Sequence, residues 1–275
     1  MPLRALAPAA ASSLDVVSLS GLVARTESEP TLPVAALIFH CSRCGSTLLA
    51  RLLALDPANR VFAEPDVLAK FAWRHHAELS AGSFARELRA FIRAFGLGPR
   101  THEQRLVLKL SSHALVHLPA FRAAFPGVPF FYLFREPSEV VASLTASEPH
   151  FLREKSRARL AEIWGLKPGE ERPQNLAAWA AWYIERNLSL GLAHRSEFAA
   201  AIDYRDHVAH YLKIAGEFSE HALSPDNSEV VRTLGSYSKD QRRGFHPGAI
   251  HTVNTFASRA ATPASTQAYH DLCAS

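Results

Sequence analysis

The sequence predicts an α/β fold with three layers, in which helices cover both faces of a central parallel sheet. Three apolar segments of strand length recur along the chain, VAALIFH at 34–40, RLVLKL at 105–110 and PFFYLF at 129–134. A segment with helical spacing follows each of them, which is typical of strands joined by crossover helices. The continuous apolar character of these strands indicates burial on both faces, as in a parallel sheet.

Weaker patterns complete the predicted order of elements. Short strands are expected at 61–63 and 199–203. Helices are expected at 47–55, 66–95 (two amphipathic helices that break near Gly82), 114–125, 137–146, 174–195 and from the last strand to about residue 234. The charged segment 150–172 is expected to form a surface helix and a loop. Beyond residue 234 the chain is polar, and loops are expected there. Residues 1–32 are expected to form a partly ordered N-terminal arm, and residues 33–275 a single domain.

The composition is ordinary for a globular protein, because 48% of the residues are hydrophobic and 20% are charged. A net charge of +4 is too small an excess to predict a nucleic-acid partner, although it favours anionic ligands. No apolar stretch reaches about 18 residues, so no membrane span is expected, and the N-terminus is a poor secretory signal. Three cysteines are too few, and odd in number, for a disulfide framework, which favours the cytoplasm.

The segment LIFHCSRCGSTLLARLL, residues 37–53, joins a buried strand to a helix through a short polar loop. Such a loop directs backbone N–H groups and the positive end of a helix dipole at one point, which suits a phosphate. Gly45 permits close approach of the backbone to an anion, and Arg43 adds a guanidinium fork. Ser46 and Thr47 supply hydroxyl donors.

The nucleoside triphosphate loop, G-x-x-x-x-G-K-[ST], matches this segment only in part. Gly45 and Thr47 fit the pattern, whereas His40 stands at the first glycine and Ser46 at the lysine. The missing lysine is the group that reaches the β- and γ-phosphates. An ATP-dependent phosphotransferase is therefore disfavoured but stays an alternative.

Cys41 and Cys44 form a C-x-x-C pair at the start of the same helix. Zinc would need two further ligands, and no second pair occurs in the sequence, so no metal is expected. A redox dithiol at a helix start is conceivable. A non-catalytic nucleotide-binding or redox module is the second alternative.

A second phosphate position is predicted after the strand at 129–134. Arg135 follows that strand directly, and Ser143 lies eight residues later, about two helical turns on. Both side chains are expected at the sheet edge where open α/β sheets bind their ligands.

Together these segments resemble the sulfotransferase family over most of residues 35–147. CSRCGSTLL at 41–49 is similar to its 5′-phosphosulfate loop, and FREPSEVVAS at 134–143 is similar to its 3′-phosphate motif. The arginine in the loop is more similar to the protein-tyrosine sulfotransferase branch and related bacterial enzymes. The resemblance implies a P-loop-containing domain and 3′-phosphoadenosine 5′-phosphosulfate as the co-substrate, from which a sulfuryl group passes to a hydroxyl acceptor.

Further segments extend the resemblance to individual site residues. FAEP at 62–65 looks like the strand end that carries the catalytic glutamate of that branch, and LVLK ends at a lysine near the transferring group. AIDYRD at 201–206 and SYSKDQRR at 236–243 look like segments that surround the donor. The implied catalytic residues are Glu64, Lys109, Arg43 and Ser236. The implied donor-binding residues are Arg43, Cys44, Gly45, Ser46, Thr47, Arg135, Ser143, Tyr204, Ser238 and Lys239.

Glu64 is expected to accept the proton of the acceptor hydroxyl, and His113 is the alternative base. The chain also departs from the family, because Cys44 replaces a serine and Ser147 stands where tyrosine-sulfating enzymes carry arginine. A carbohydrate, a phenol, a peptide tyrosine and a lipid hydroxyl all stay open as acceptors. The acceptor pocket is expected from residues 66–100 and 148–175.

Overall fold

The structure, a computed structural model, describes residues 18–75, 80–167, 169–219, 230, 232–233 and 261–275. A five-stranded sheet in the order β2-β3-β1-β4-β5 forms its centre, and every neighbouring pair of strands is parallel. The strands are β1 (Val34–His40), β2 (Asn59–Ala63), β3 (Arg105–Lys109), β4 (Phe130–Phe134) and β5 (Ala200–Asp203).

Helices connect these strands and pack on both faces of the sheet. The labelled helices are α1 (Leu19–Ser28), α2 (Ser46–Leu53), α3 (Asp66–His75), α4 (Ala81–Ala94), α5 (Leu118–Ala124), α6 (Pro137–Ser147), α7 (Glu154–Ile163), α8 (Leu176–Ala193) and α9 (His207–Glu217). A further helix at the C-terminus spans Pro263–Ala274. Helix α2 packs with α9, while α4 packs with α1 and α5, and α8 packs with α6 and the C-terminal helix. The predicted three-layer α/β/α class is confirmed.

The burial of β1 and β4 explains why their sequences are apolar without alternation. Strand β1 lies between β3 and β4, which cover both of its edges, and the burial of residues 36–41 shows that both of its faces are covered as well. All five residues of β4 are buried as well. An apolar run of strand length is stable only where neither face meets water, which places these strands inside the sheet.

The two helices expected at 66–95 are present as α3 and α4, and Gly82 lies in the first turn of α4. Two other expectations about helices need correction. The helix predicted at 114–125 is a 3₁₀ helix, Ser112–His117, followed by α5, whose start accommodates Pro119. The loop predicted beyond residue 234 is wrong for Pro263–Ala274, where Ala268, Tyr269 and Leu272 are buried and the helix packs on α8.

Within the described residues, no helix is both long enough and apolar enough to cross a membrane.

Candidate active site

A polar side chain lies at the carboxyl end of each of the five strands. Four of the five were predicted as site residues from the sequence, and the fifth, His40, directly precedes the predicted phosphate loop. His40 ends β1 and Lys109 ends β3, while Glu64, Arg135 and Tyr204 directly follow β2, β4 and β5. Because the strands are parallel, these five positions meet at one edge of the sheet. Open α/β sheets bind their ligands at this edge.

The loop between β1 and α2 has the backbone of an anion cradle. Ser42, Arg43 and Gly45 all have positive φ, at 81°, 52° and 76°. Turns that include left-handed residues gather successive N–H groups into a concave surface, which is an anion-binding nest. The left-handed conformation costs non-glycine residues such as Ser42 and Arg43 about 1 kcal/mol or more each, so neighbouring groups must hold it.

Two side chains from other elements hold this loop. Arg135 donates from Nη1 to the carbonyl oxygen of Arg43 at 3.1 Å, and the hydroxyl of Tyr211 on α9 donates to that of Cys44 at 2.9 Å. Since each donor bonds a loop carbonyl, the loop is attached to β4 on one side and to α9 on the other.

Tyr204 and Arg135 form a flat wall beside the loop. The guanidinium carbon of Arg135 lies 4.4 Å from the ring centre of Tyr204, within cation–π range. The ring of His207 stacks on Tyr204 with its centre 4.2 Å away. Arg135 also pairs with Glu139, one helical turn along α6, at 2.6 Å from its Nε. Arg135 is therefore a buried cation that already holds one carboxylate beside the loop.

Glu64 and Lys109 form an ion pair at the ends of β2 and β3. Lys109 is only 1% exposed, and a buried ammonium needs such a partner because isolated burial of a charge is costly. The carboxylate of Glu64 also lies 3.3 Å from Nε2 of His40. Glu64 itself has a φ of 53°, and its N–H donates to the carbonyl of Lys109 at 2.7 Å. The backbone of Glu64 is therefore strained, and its carboxylate is partly exposed while its partner Lys109 is buried.

A cavity of about 390 Å³ opens next to this pair. Residues from the loop, the strand ends, α3 and the chain after α6 line it, among them Arg43, Glu64, Trp73, Ser111, His113 and Phe151. Its aromatic wall is well packed, because the ring of His113 lies 4.4 Å from Phe151 and 5.1 Å from Trp73, both edge to face. Burial lowers the pKa of His113 to about 3, so its imidazole is neutral at neutral pH.

Comparisons with known proteins were made for the whole chain. No model of a known protein family matches the sequence, and no curated protein matches it either. The chain is similar to bacterial sulfotransferases of known structure. A sulfotransferase domain of the Synechococcus olefin synthase has 18% identity and a TM-score of 0.47, with 90% of this chain and 96% of that chain covered.

Two further structures have comparable values. The sulfotransferase STF1 of Mycobacterium tuberculosis has 15% identity and a TM-score of 0.47, covering 93% of this chain and 82% of that chain. A sulfotransferase domain from the curacin biosynthetic pathway has 18% identity and a TM-score of 0.45, covering 77% and 80%. These are distant likenesses, so the function is inferred below from the residues of the site.

Most of the residues marked in the sequence lie at this edge of the sheet. Ser46 and Thr47 begin α2 directly after the loop. Arg43 donates to the hydroxyl of Ser147 on α6, and Ser143 lies one turn earlier on the same helix. Ser236, Ser238 and Lys239 lie outside the described residues.

Sequence reasoning missed His40 and Tyr211 as parts of this edge. In the sequence, His40 stands where the triphosphate-loop pattern has its first glycine. This replacement was the one sign that the side chain at position 40 takes part in the site. No signal in the sequence marked Tyr211, because it reaches the loop from a helix more than 160 residues away.

The two cysteines of the loop are buried thiols. Cys41 and Cys44 are both 0% exposed and unbridged, so a redox partner has no access to either sulfur. No group of three or more histidine, cysteine or carboxylate side chains within the described ranges is arranged to hold a metal ion.

Proposed function

We propose that the chain is a sulfotransferase, which moves a sulfuryl group from 3′-phosphoadenosine 5′-phosphosulfate to a hydroxyl acceptor. One observation supports this proposal above all. A braced anion cradle at residues 42–45, the cation Arg135 and the Glu64–Lys109 pair occupy one sheet edge, beside a cavity that Glu64 lines. The cradle and Arg135 suit a donor with two separate phosphates, and Glu64 suits an acceptor that loses a proton.

The residues around the loop fit a phosphate-bearing donor. The loop N–H groups and the start of α2 suit the 5′-phosphosulfate, and Ser46 and Thr47 add hydroxyl donors. Arg135 and Ser143 suit the 3′-phosphate. When this phosphate binds, its oxygens take the place of the Glu139 carboxylate as the partner of the Arg135 guanidinium. Tyr204 supplies a flat aromatic surface beside these groups.

The transfer step needs a base beside the acceptor oxygen and cations beside the sulfuryl oxygens and the leaving phosphate. The acceptor oxygen attacks the sulfur, its proton passes to Glu64, and the bond from sulfur to the phosphate oxygen breaks. The electron pair of that bond leaves with the 5′-phosphate. Lys109 and Arg43 stabilise the charge on the sulfuryl oxygens and the leaving phosphate, so fixed cations supply the electrostatic stabilisation.

The cavity beside Glu64 suits the acceptor. Its walls come from α3 and from the chain after α6, the two regions in which the sequence predicts acceptor contacts. The free thiols favour a reducing compartment, and we place the activity in the cytoplasm.

Ligand-induced thermal stabilisation tests the donor site. Melting temperatures are measured with 3′,5′-phosphoadenosine and, separately, with ATP plus Mg²⁺. A ligand at about 100 times its Kd adds roughly 2.7 kcal/mol when it binds only the folded state. We expect stabilisation by the bisphosphate that is lost in Arg135→Ala and reduced in Ser143→Ala.

Two features of the variants keep this test interpretable. Each shift is compared with the same variant without ligand, because Arg135→Ala also removes a buried ion pair. Ser143→Ala changes only a half-buried hydroxyl on α6, and Arg25→Ala, which removes an exposed arginine on α1, is the matched control. Stabilisation by Mg·ATP alone would favour the phosphotransferase, and no response to either ligand would reject a nucleotide site.

A further inference from the structure

We propose that His40 is a positioning residue that sets the orientation of Glu64 relative to the phosphate loop. This role rests on the proposed sulfuryl transfer, in which Glu64 accepts the proton of the acceptor. His40 ends the central strand β1, and its side chain is 2% exposed, so the ring is held entirely by its neighbours.

The hydrogen bonds of His40 define which nitrogen carries the proton. The backbone N–H of Ser42 donates to Nδ1 at 3.0 Å, so Nδ1 acts as an acceptor and carries no hydrogen. Nε2 therefore carries the hydrogen of the neutral ring and lies 2.9 Å from the carbonyl oxygen of Leu110. The same Nε2 lies 3.3 Å from the Glu64 carboxylate.

The ring of His40 thus contacts three parts of the site, which are the phosphate loop, the end of β3 and the residue after β2. On the Nδ1 side it bonds Ser42, whose φ of 81° begins the left-handed part of the loop. On the Nε2 side it reaches the residue after β3 and the carboxylate after β2. A shift of the loop therefore moves the edge of the ring that lies against the Glu64 carboxylate.

His40 adds a contact from a fixed position to the ion pair of Glu64 with Lys109. The ammonium is a flexible point charge, which attracts a carboxylate without a directional preference. The ring of His40 is held by its bonds with Ser42 and Leu110, and it places Nε2 3.3 Å from Oε1 of Glu64. Glycine, which the triphosphate-loop pattern places at this position, has no side chain to make these contacts.

Two substitutions separate the two sides of the ring. In His40→Asn the amide oxygen overlays Nδ1 and keeps an acceptor for Ser42, but the contact with Glu64 is lost. In His40→Gln the amide nitrogen overlays Nε2 and keeps an N–H group beside Leu110 and Glu64, but the acceptor for Ser42 is lost. Each variant is made in the wild type and in Glu64→Gln.

Two quantities are measured for each variant. Calorimetry gives the Kd of 3′,5′-phosphoadenosine, and the release of that bisphosphate from 3′-phosphoadenosine 5′-phosphosulfate gives kcat with water or 2-naphthol as acceptor. We expect His40→Asn to lower kcat at least about tenfold with Kd changed less than about threefold. His40→Gln should chiefly raise Kd. In Glu64→Gln, adding His40→Asn should leave kcat unchanged, because the residue through which it acts is absent.

The outcomes that overturn the role are distinct. If the effects of His40→Asn and Glu64→Gln on kcat multiply, His40 does not act through Glu64. Equal losses of kcat and affinity in both variants, in parallel with melting temperature, would mean that the ring only supports the fold. Failure of the wild type to bind the bisphosphate would overturn the proposed function and this role with it.

Discussion

The ring of Tyr204 occupies the space in which a side chain at position 45 would lie. A Cβ added to Gly45 would be 2.9 Å from Cε2 of Tyr204 and 3.4 Å from the hydroxyl of Tyr211. These two tyrosines come from the far end of the chain and close the loop from outside. The anion cradle is therefore complete only when β5 and α9 are folded against β1 and α2.

Gly45→Ala should destabilise the protein and weaken bisphosphate binding. The added methyl meets the Tyr204 ring, and the φ of 76° disfavours any residue with a Cβ, so we expect a loss of about 1–3 kcal/mol in the free energy of unfolding. Denaturant unfolding measures it. Gly82→Ala is the control, because a Cβ there meets nothing within 4 Å and alanine favours a helix by up to about 1 kcal/mol. Equal effects of the two substitutions would contradict the close packing at Gly45.

Glu64→Gln should lower turnover strongly and spare donor binding. The amide keeps the size of the carboxylate but does not take up a proton, so kcat should fall at least about 100-fold. The Kd of 3′,5′-phosphoadenosine should change little. Asp66→Asn is the matched control, because Asp66 is the other carboxylate that lines the cavity. A normal kcat in Glu64→Gln would transfer the role of base to His113.

The stability of the protein should depend on pH through His113. Burial lowers the pKa of this residue from 6.5 to about 3, so the folded protein keeps the ring neutral while the unfolded chain takes up a proton below about pH 6.5. The free energy of unfolding therefore falls as pH decreases from 6.5 toward 3, by at most about 1.4 kcal/mol per pH unit from this residue.

Comparison of two variants isolates that contribution. Urea unfolding between pH 7 and pH 5 should show a smaller dependence on pH in His113→Gln than in the wild type. His102→Gln serves as control, because His102 is exposed. An unchanged pH dependence in His113→Gln would mean that the ring is accessible to protons in the folded protein.

Thiol counting tests the burial of the loop cysteines. Cys41 and Cys44 are 0% exposed and Cys273 is exposed, so a thiol reagent should modify one cysteine rapidly in the folded protein. All three should react after unfolding in guanidinium chloride. In Cys273→Ser no rapid phase should remain. A second rapidly reacting thiol in the folded wild type would reopen the redox alternative.

The strands were predictable because a mostly apolar sequence without alternation indicates burial on both faces. The segments at 34–40, 105–110 and 129–134 are mostly apolar without alternation, and the structure places them as β1, β3 and β4 in the middle of the sheet. The C-terminal helix was not predictable in the same way. It buries three apolar residues, Ala268, Tyr269 and Leu272, and packs on α8, and its moderate apolar content becomes informative only once that partner is known.

The parts of the candidate site that were predictable are those formed by residues close together in the sequence. The loop at 41–45 lies between a strand and a helix that adjoin it in sequence, so local spacing indicates an anion cradle. The contact of His40 with Glu64 joins residues 24 positions apart, and that of Tyr211 with the loop spans 167. Spacing in sequence says nothing about such pairs.

The sequence by itself determined the α/β class, and it predicted a phosphate loop after β1 and a phosphate-binding role for Arg135. The class depends on burial patterns and the loop on local turns, which interactions between near neighbours in the chain specify. Glu64 and Lys109 were predicted from the family resemblance. Only the tertiary structure decided that Glu64 pairs with Lys109, that His40 bonds the loop and faces that pair, and that an aromatic cavity opens beside them. The parallel sheet brings the ends of distant strands to one edge, and strand order is set by packing of the whole chain.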